Sequence, residues 1–229
     1  MIRRMTVVRI LACLAAAMAL NCAAAPIPAA IGNERLVLDA PAGYSDSLQL
    51  SSPRLQELAE TLAGPSNRVM LLALTDGDLR AFMQGDSPAF RRYMVIATPT
   101  RLERERVDAA LFASTVAEGM RDMGRPVPPD DYIKHLDAHP DGKPSLLSEL
   151  RRDAEMVSLL QGAKLIVRPA TLFKDEESRY LLSTQTLLVL RGKMLHLVIV
   201  SHWEGRPDYD WVLSTTERWV EELRRLNRR

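Results

Sequence analysis

Three apolar stretches near the C-terminus constrain this chain more than anything else in it. Residues 163–173, 179–190 and 194–203 read as consecutive strands rich in Leu, Val and Ile. Arg191-Gly192-Lys193 is short enough to demand a tight hairpin, and glycine supplies the positive φ that such links need. In the last strand Leu195, Leu197 and Ile199 form one apolar face, and Val198 and Val200 form the other. That strand is expected to lie inside a sheet covered on both sides. Strands joined by hairpins, with helical segments between and after them, predict an α+β fold: a mainly antiparallel sheet with helices packed on it.

The rest of the chain supplies those helices and further strands. Residues 34–39 alternate as a strand and end at the turn Ala40-Pro41-Ala42-Gly43-Tyr44. Ser52-Pro53 is a helix start, with serine as cap and proline at the first position. Leu55, Leu58, Ala59 and Leu62 share a face, and Gly64-Pro65 ends that helix. Residues 67–74 and 92–98 read as strands, with a turn at Asp76-Gly77-Asp78 and a short helical turn after it. Asp108 can cap a helix with Phe112, Val116, Met120 and Met123 on one face, ended by Gly124. Residues 125–144 hold five of the 14 prolines and read as a long irregular connection. Leu147, Leu150, Ala154 and Val157 predict a helix to Gln161, closed by Gly162. Asp208 can cap a last helix carrying Val212, Thr216, Trp219, Leu223 and Leu226, with Arg224, Arg225, Arg228 and Arg229 at its favourable end.

The N-terminus speaks of compartment. Arg3, Arg4 and Arg9 precede the apolar run 10–20, and Asn21-Cys22-Ala23-Ala24-Ala25-Pro26 follows. A basic region, an apolar run and small residues are the three parts of an export signal. The run falls short of the roughly 20 apolar residues of a spanning helix. Cleavage is expected after Ala24, with Cys22 and Ala24 at −3 and −1. This divides the chain into a signal peptide, 1–24, and a single α+β domain, 25–229, working in the periplasm. Lipid attachment at Cys22 and an uncleaved anchor are the alternatives.

Both cysteines, Cys13 and Cys22, lie in that segment. The mature domain therefore has no disulfide, thiolate metal site or cysteine nucleophile. Its core alone must hold the fold, and roughly 205 residues suffice for one. Removing residues 1–24 also takes away three arginines and no acid, so 27 basic and 29 acidic residues remain, a net charge of −2. Neither that balance nor the few scattered aromatics suggest nucleic acid, and no stable membrane span is expected after cleavage.

The Pro41-Ala42-Gly43-Tyr44 turn, the late meander, and the ending Asp210-Trp211, Trp219-Val220 and Leu226-Asn227 give the chain a resemblance. It is similar, over residues 33–227, to a group of small exported proteobacterial proteins of unassigned function whose architecture resembles the PsbP-like α/β/α sandwich. The resemblance implies a fold and a compartment but no catalytic residues. PsbP-like domains mostly act as accessory or assembly factors, so it implies a binding role.

Few residues could carry chemistry. His135 and His139 are four apart, so on a helix both would face one metal. Asp130, Asp131 and Asp141 could add oxygen ligands. The metalloprotease pattern needs Glu after the first histidine, and here Leu136 stands there. Prolines 128, 129 and 140 favour a polar surface loop instead. His196 and His202 share a strand face but lie about 20 Å apart, too far for one site. No strained serine turn, phosphate loop or calcium loop is present. Trp203, Trp211 and Trp219 could mark a pocket, though core packing explains their spacing. No catalytic or cofactor-binding residue is expected, and no cofactor. The expectation is a non-enzymatic periplasmic binding or assembly protein that takes an envelope protein complex or a small ligand. The alternative is a metal-dependent hydrolase using His135 and His139.

Overall fold

The computed structural model describes residues 26–86, 88–121, 123–167 and 177–228; of residues 167 and 177 it describes only the backbone. The signal segment with Cys22 and its cleavage site lies outside these residues, as does 168–176, which holds the end of the strand expected over 163–173.

Strands β1 (Ile27–Ile31) and β2 (Glu34–Leu38) form a separate antiparallel hairpin. Gly32 takes φ +56° in its two-residue link, as the first position of a II′ turn requires. β3 (Tyr44–Asp46), β4 (Asn67–Thr75), β5 (Arg92–Pro99), β6 (Ser145–Arg152), β7 (Met156–Val167), β8 (Glu177–Leu190) and β9 (Lys193–His202) build one seven-stranded sheet. Its order is β3-β4-β5-β9-β8-β7-β6, and every pairing is antiparallel. The helices are α1 (Pro53–Ala63), α2 (Asp76–Gln84), α3 (Ala109–Met120), α4 (Tyr132–Ala138) and α5 (Arg206–Leu226). The α+β class read from the sequence is the observed one.

Alternation along the central strands sends side chains into two cores. Leu72, Leu74, Val95 and Ala97 meet Leu55 and Ala59 of α1. Val157, Leu159 and Met194 meet Phe112 and Val116 of α3 on that same face. Leu71, Met94, Ile96, Leu197 and Ile199 point the other way, to Trp219 and Leu223 of α5 and to the β1–β2 hairpin. Leu160 and Leu182 continue this second face to α4 and to Val212 of α5. β9 lies inside the sheet with both faces covered, as its apolar pattern implies. The β8–β9 link gives positive φ to Arg191 as well as Gly192, the signature of a I′ turn.

Residues 147–161 correct the sequence expectation. They form β6 and β7 instead of a helix. Two register irregularities, between Leu146 and Ser148 and between Glu149 and Arg151, break the alternation of β6. The shifted apolar positions then mimic a helical period. Gly162 ends nothing; it pairs with Ser145 and Leu182 inside the sheet. A Cβ there would lie 2.8 Å from Leu136 and 2.9 Å from Leu147, so glycine lets α4 close onto β7. The Pro-rich stretch 125–144 is likewise less irregular than expected. Pro129 opens a 3-10 turn that leads into α4, which buries Tyr132 and Leu136. Asp76 and Asp78 belong to the first turn of α2, capped by the Thr75 hydroxyl.

Candidate functional site

α5 crosses the second face over β8, and its contact with the sheet is not wholly apolar. The Thr216 hydroxyl donates to the Val212 carbonyl at 2.7 Å. Its single proton is then spent, so the Thr184 hydroxyl, 2.6 Å away, must donate to it. Ser158 and Thr186 share a second buried bond of 2.7 Å. These hydroxyls separate two apolar clusters, one holding Met156 and Val220, the other Leu150 and Leu213. Short polar side chains fill less space than leucines, and at this seam a cavity of about 250 Å³ remains between α5 and β6–β7. Leu150, Met156, Leu213 and Val220 make its walls. Ser158 and Thr216, both buried, form the floor, and exposed Arg151 and Glu217 stand at the mouth.

The Thr184–Thr216 bond gives a direct check on this floor. Thr216→Val is expected to destabilise by about 1–3 kcal/mol, because Thr184 keeps a buried, unpaired hydroxyl. Thr184→Val with Thr216→Val removes both partners and is expected to recover most of that loss. Urea denaturation of the three variants measures it.

A second concavity, wider and shallower at about 490 Å³, lies between α2 and the 3-10 turn Ser47–Leu50, with Leu79 and the exposed Leu50 and Met83 along it.

The histidines singled out in the sequence fall elsewhere. α4 does bring His135 and His139 together, with rings stacked 5.4 Å apart at 28°. The loop expectation is thus corrected to a helix, because the prolines bracket α4 without entering it. His135 is engaged: its Nε2 lies 2.6 Å from the buried Ser145 hydroxyl. Among the described residues no group of three His, Cys, Asp or Glu could hold a metal ion. Asp137 instead accepts the Tyr180 hydroxyl at 2.6 Å and faces Lys164 at 3.7 Å.

His196 and His202 are separate. His196 meets the Gln185 amide oxygen at 2.7 Å on the α1–α3 face, and burial pushes its pKa down to about 4. Burial, with Arg179 and Arg91 nearby, also lowers His202. Between about pH 6.5 and 4 the unfolded chain takes up a proton that folded His196 refuses. Its stabilising effect is therefore full above about 6.5 and falls as pH drops, by about 3 kcal/mol at the limit. His196→Gln is expected to flatten the acid limb of a plot of urea midpoint against pH.

A polar cluster at the start of α5 was not legible in the sequence. Asp208, buried in the first turn of α5, accepts from Arg92 at 2.9 Å, from Arg91 at 3.3 Å and from the Glu204 amide at 3.0 Å. Burial alone would raise its carboxyl, but the Glu204 amide and the two guanidiniums outweigh that and hold it below the usual range. Arg92 also lies 4.3 Å over the Trp211 ring, which Tyr44 flanks at 6.1 Å. Here the polar groups satisfy one another, so the cluster fastens α5 to β5. Trp219 is core, its Nε1 donating to the Asp39 carbonyl at 2.7 Å. Trp203 packs edge-on against Tyr132. None of the three tryptophans lines the cavity beneath α5.

Compared with known protein families and with curated proteins, the chain matches none. Among the described residues no helix is long and apolar enough to cross a membrane.

Proposed function

We propose that this is an exported, non-enzymatic binding protein of the cell envelope, working in the periplasm as an accessory factor, with the cavity beneath α5 as its ligand site. The observation that carries the proposal is the cavity itself: apolar walls, a hydroxyl floor and a charged mouth, drawn from β6, β7 and α5. Concave, mostly apolar sites with a few placed polar groups are how proteins hold small molecules. The Ser158 and Thr216 hydroxyls are tied to the oxygens of Thr186, Thr184 and Val212, an arrangement that suits holding a ligand more than attacking it. The N-terminal signal and the PsbP-like resemblance support the compartment and the accessory role. The stacked imidazoles of His135 and His139, with His135 bound to Ser145, favour binding over the metal-dependent hydrolase.

Expression of the full chain followed by osmotic shock is expected to release a shortened protein beginning after Ala24. A panel of small amphipathic molecules is expected to raise its melting temperature, and Leu213→Trp, which fills the cavity, is expected to abolish the shift. Retention in the cytoplasm, or shifts that survive Leu213→Trp, would overturn the proposal.

A further inference from the structure

The geometry points to a zwitterion as the ligand of the cavity beneath α5: an amino acid, or a molecule of that size, with an apolar side chain. This rests on the binding role proposed above and adds the chemistry of the ligand.

Size gives the first limit. A cavity of about 150 Å³ takes a benzene, and drug-sized ligands fill about 300–1,000 Å³. At about 250 Å³ this site lies between them. It has room for one aliphatic or aromatic side chain and a small head group. The apolar walls, Leu150, Met156, Leu213 and Val220, suit the side chain.

Charge gives the second. Arg151, on β6, and Arg224 both reach Asp153, at 3.5 and 3.3 Å. Two guanidiniums on one carboxylate leave this trio with a positive surplus. The Asp153 carboxyl, only partly buried, is held below the usual range by the Glu155 amide and these arginines, so it stays charged at neutral pH. Glu217, on α5, makes no ion pair among the described residues. The mouth therefore offers an anion acceptor on the sheet side and a cation acceptor on the helix side. A simple fatty acid would meet Glu217 with like charge nearby, and a simple amine would leave the surplus positive charge of Arg151 and Arg224 over Asp153 uncompensated. A molecule with ammonium and carboxylate on one carbon answers both and sends its side chain between the walls.

Calorimetric titration of the mature full chain tests this with four probes: L-leucine, L-phenylalanine, L-leucinamide, which lacks the carboxylate, and 4-methylpentanoate, which lacks the ammonium. The two amino acids are expected to bind saturably, and each truncated probe about tenfold or more weaker. Glu217→Gln, an exposed position, is expected to weaken L-leucine about tenfold and not to weaken 4-methylpentanoate. Equal binding of L-leucine and either truncated probe overturns the zwitterion but leaves the cavity a binding site. Binding of L-leucine that survives Leu213→Trp places the ligand elsewhere and overturns it too. No heat with any of the four probes overturns the zwitterion; the binding role then stands or falls with the wider amphipathic panel.

Discussion

Gly32→Ala is expected to lower the stability of the folded domain by about 3 kcal/mol, through two costs at one position. The first is backbone: Gly32 sits at φ +56°, at a II′ position that glycine alone takes readily, where an alanine loses about 1–3 kcal/mol. The second is space. A Cβ at this position would lie 2.3 Å from the Glu103 carbonyl oxygen and 3.1 Å from Lys193 Nζ. The carbonyl is backbone and cannot swing aside. It is also one of two acceptors for Lys193, whose buried ammonium donates to Glu103 at 3.0 Å and Glu105 at 2.7 Å. Pushing residues 100–105 outward weakens the hold on a buried cation, a further cost of about 1–3 kcal/mol. In a domain of this size the sum corresponds to a drop of about 10 °C in melting temperature. Gly64→Ala is the control. Gly64 also has positive φ, +78°, but a Cβ there meets nothing within 4 Å, so it is expected to lose only the backbone part. Equal losses for the two variants would show that the close approach carries no weight.

Asp208→Ala is expected to cost about as much, by a different route. It strips Arg91, Arg92 and the Glu204 amide of a shared acceptor. Breaking a buried pair from one side typically costs about 3–5 kcal/mol. Arg91 is nearly half exposed and recovers water, which argues for the lower end, about 3 kcal/mol. α5 has no side-chain cap at Gly205, and the Asp208 carboxylate, in the first turn, faces the positive end of the helix. Asp208→Asn keeps an acceptor but loses the charge, and is expected to recover about half of the loss. The lowered carboxyl pKa fixes the pH sense. The stabilisation is present above the unfolded value near 4 and is lost as pH falls through the lower folded value. The urea midpoint with unchanged slope is the readout. If Asn does no better than Ala, charge and not hydrogen bonding holds the junction.

Both variants act where sequence reading is weakest, and the reason is physical. β4, β5, β8 and β9 were legible as long apolar runs bounded by turns, because the inner strands of the sheet are covered on both faces. α1, α3 and α5 were legible from their apolar faces, from Ser52-Pro53 and from Asp108; Ser52 holds the cap position without a side-chain bond, and Asp208, expected as the cap of α5, lies inside its first turn, behind Gly205. β6 was not, because its two irregularities turned a strand pattern into an apparent helical one. α4 was hidden by prolines that stop a helix inside but are welcome at its edges. β1 is only five residues long, and its partner hairpin is visible only once Gly32 is known to turn. The candidate site was less legible still. Nothing near Leu150 announces Leu213, and the hydroxyls of Ser158, Thr184 and Thr216 are unremarkable in sequence; only the sheet register and the path of α5 bring them together. The Asp208 cluster likewise joins residues 116 and 117 positions apart. His135 and His139 were legible as a pair, but their stacking and the bond to Ser145 depend on the fold.

The most direct test of the central claim is a methyl NMR titration of the mature domain with the panel of small amphipathic molecules, L-leucine among them. The cavity beneath α5 predicts the largest shifts at Leu150, Met156, Leu213 and Val220, saturating together. Shifts concentrated at Leu50, Leu79 and Met83 beside α2, or a spectrum that does not change, would contradict it.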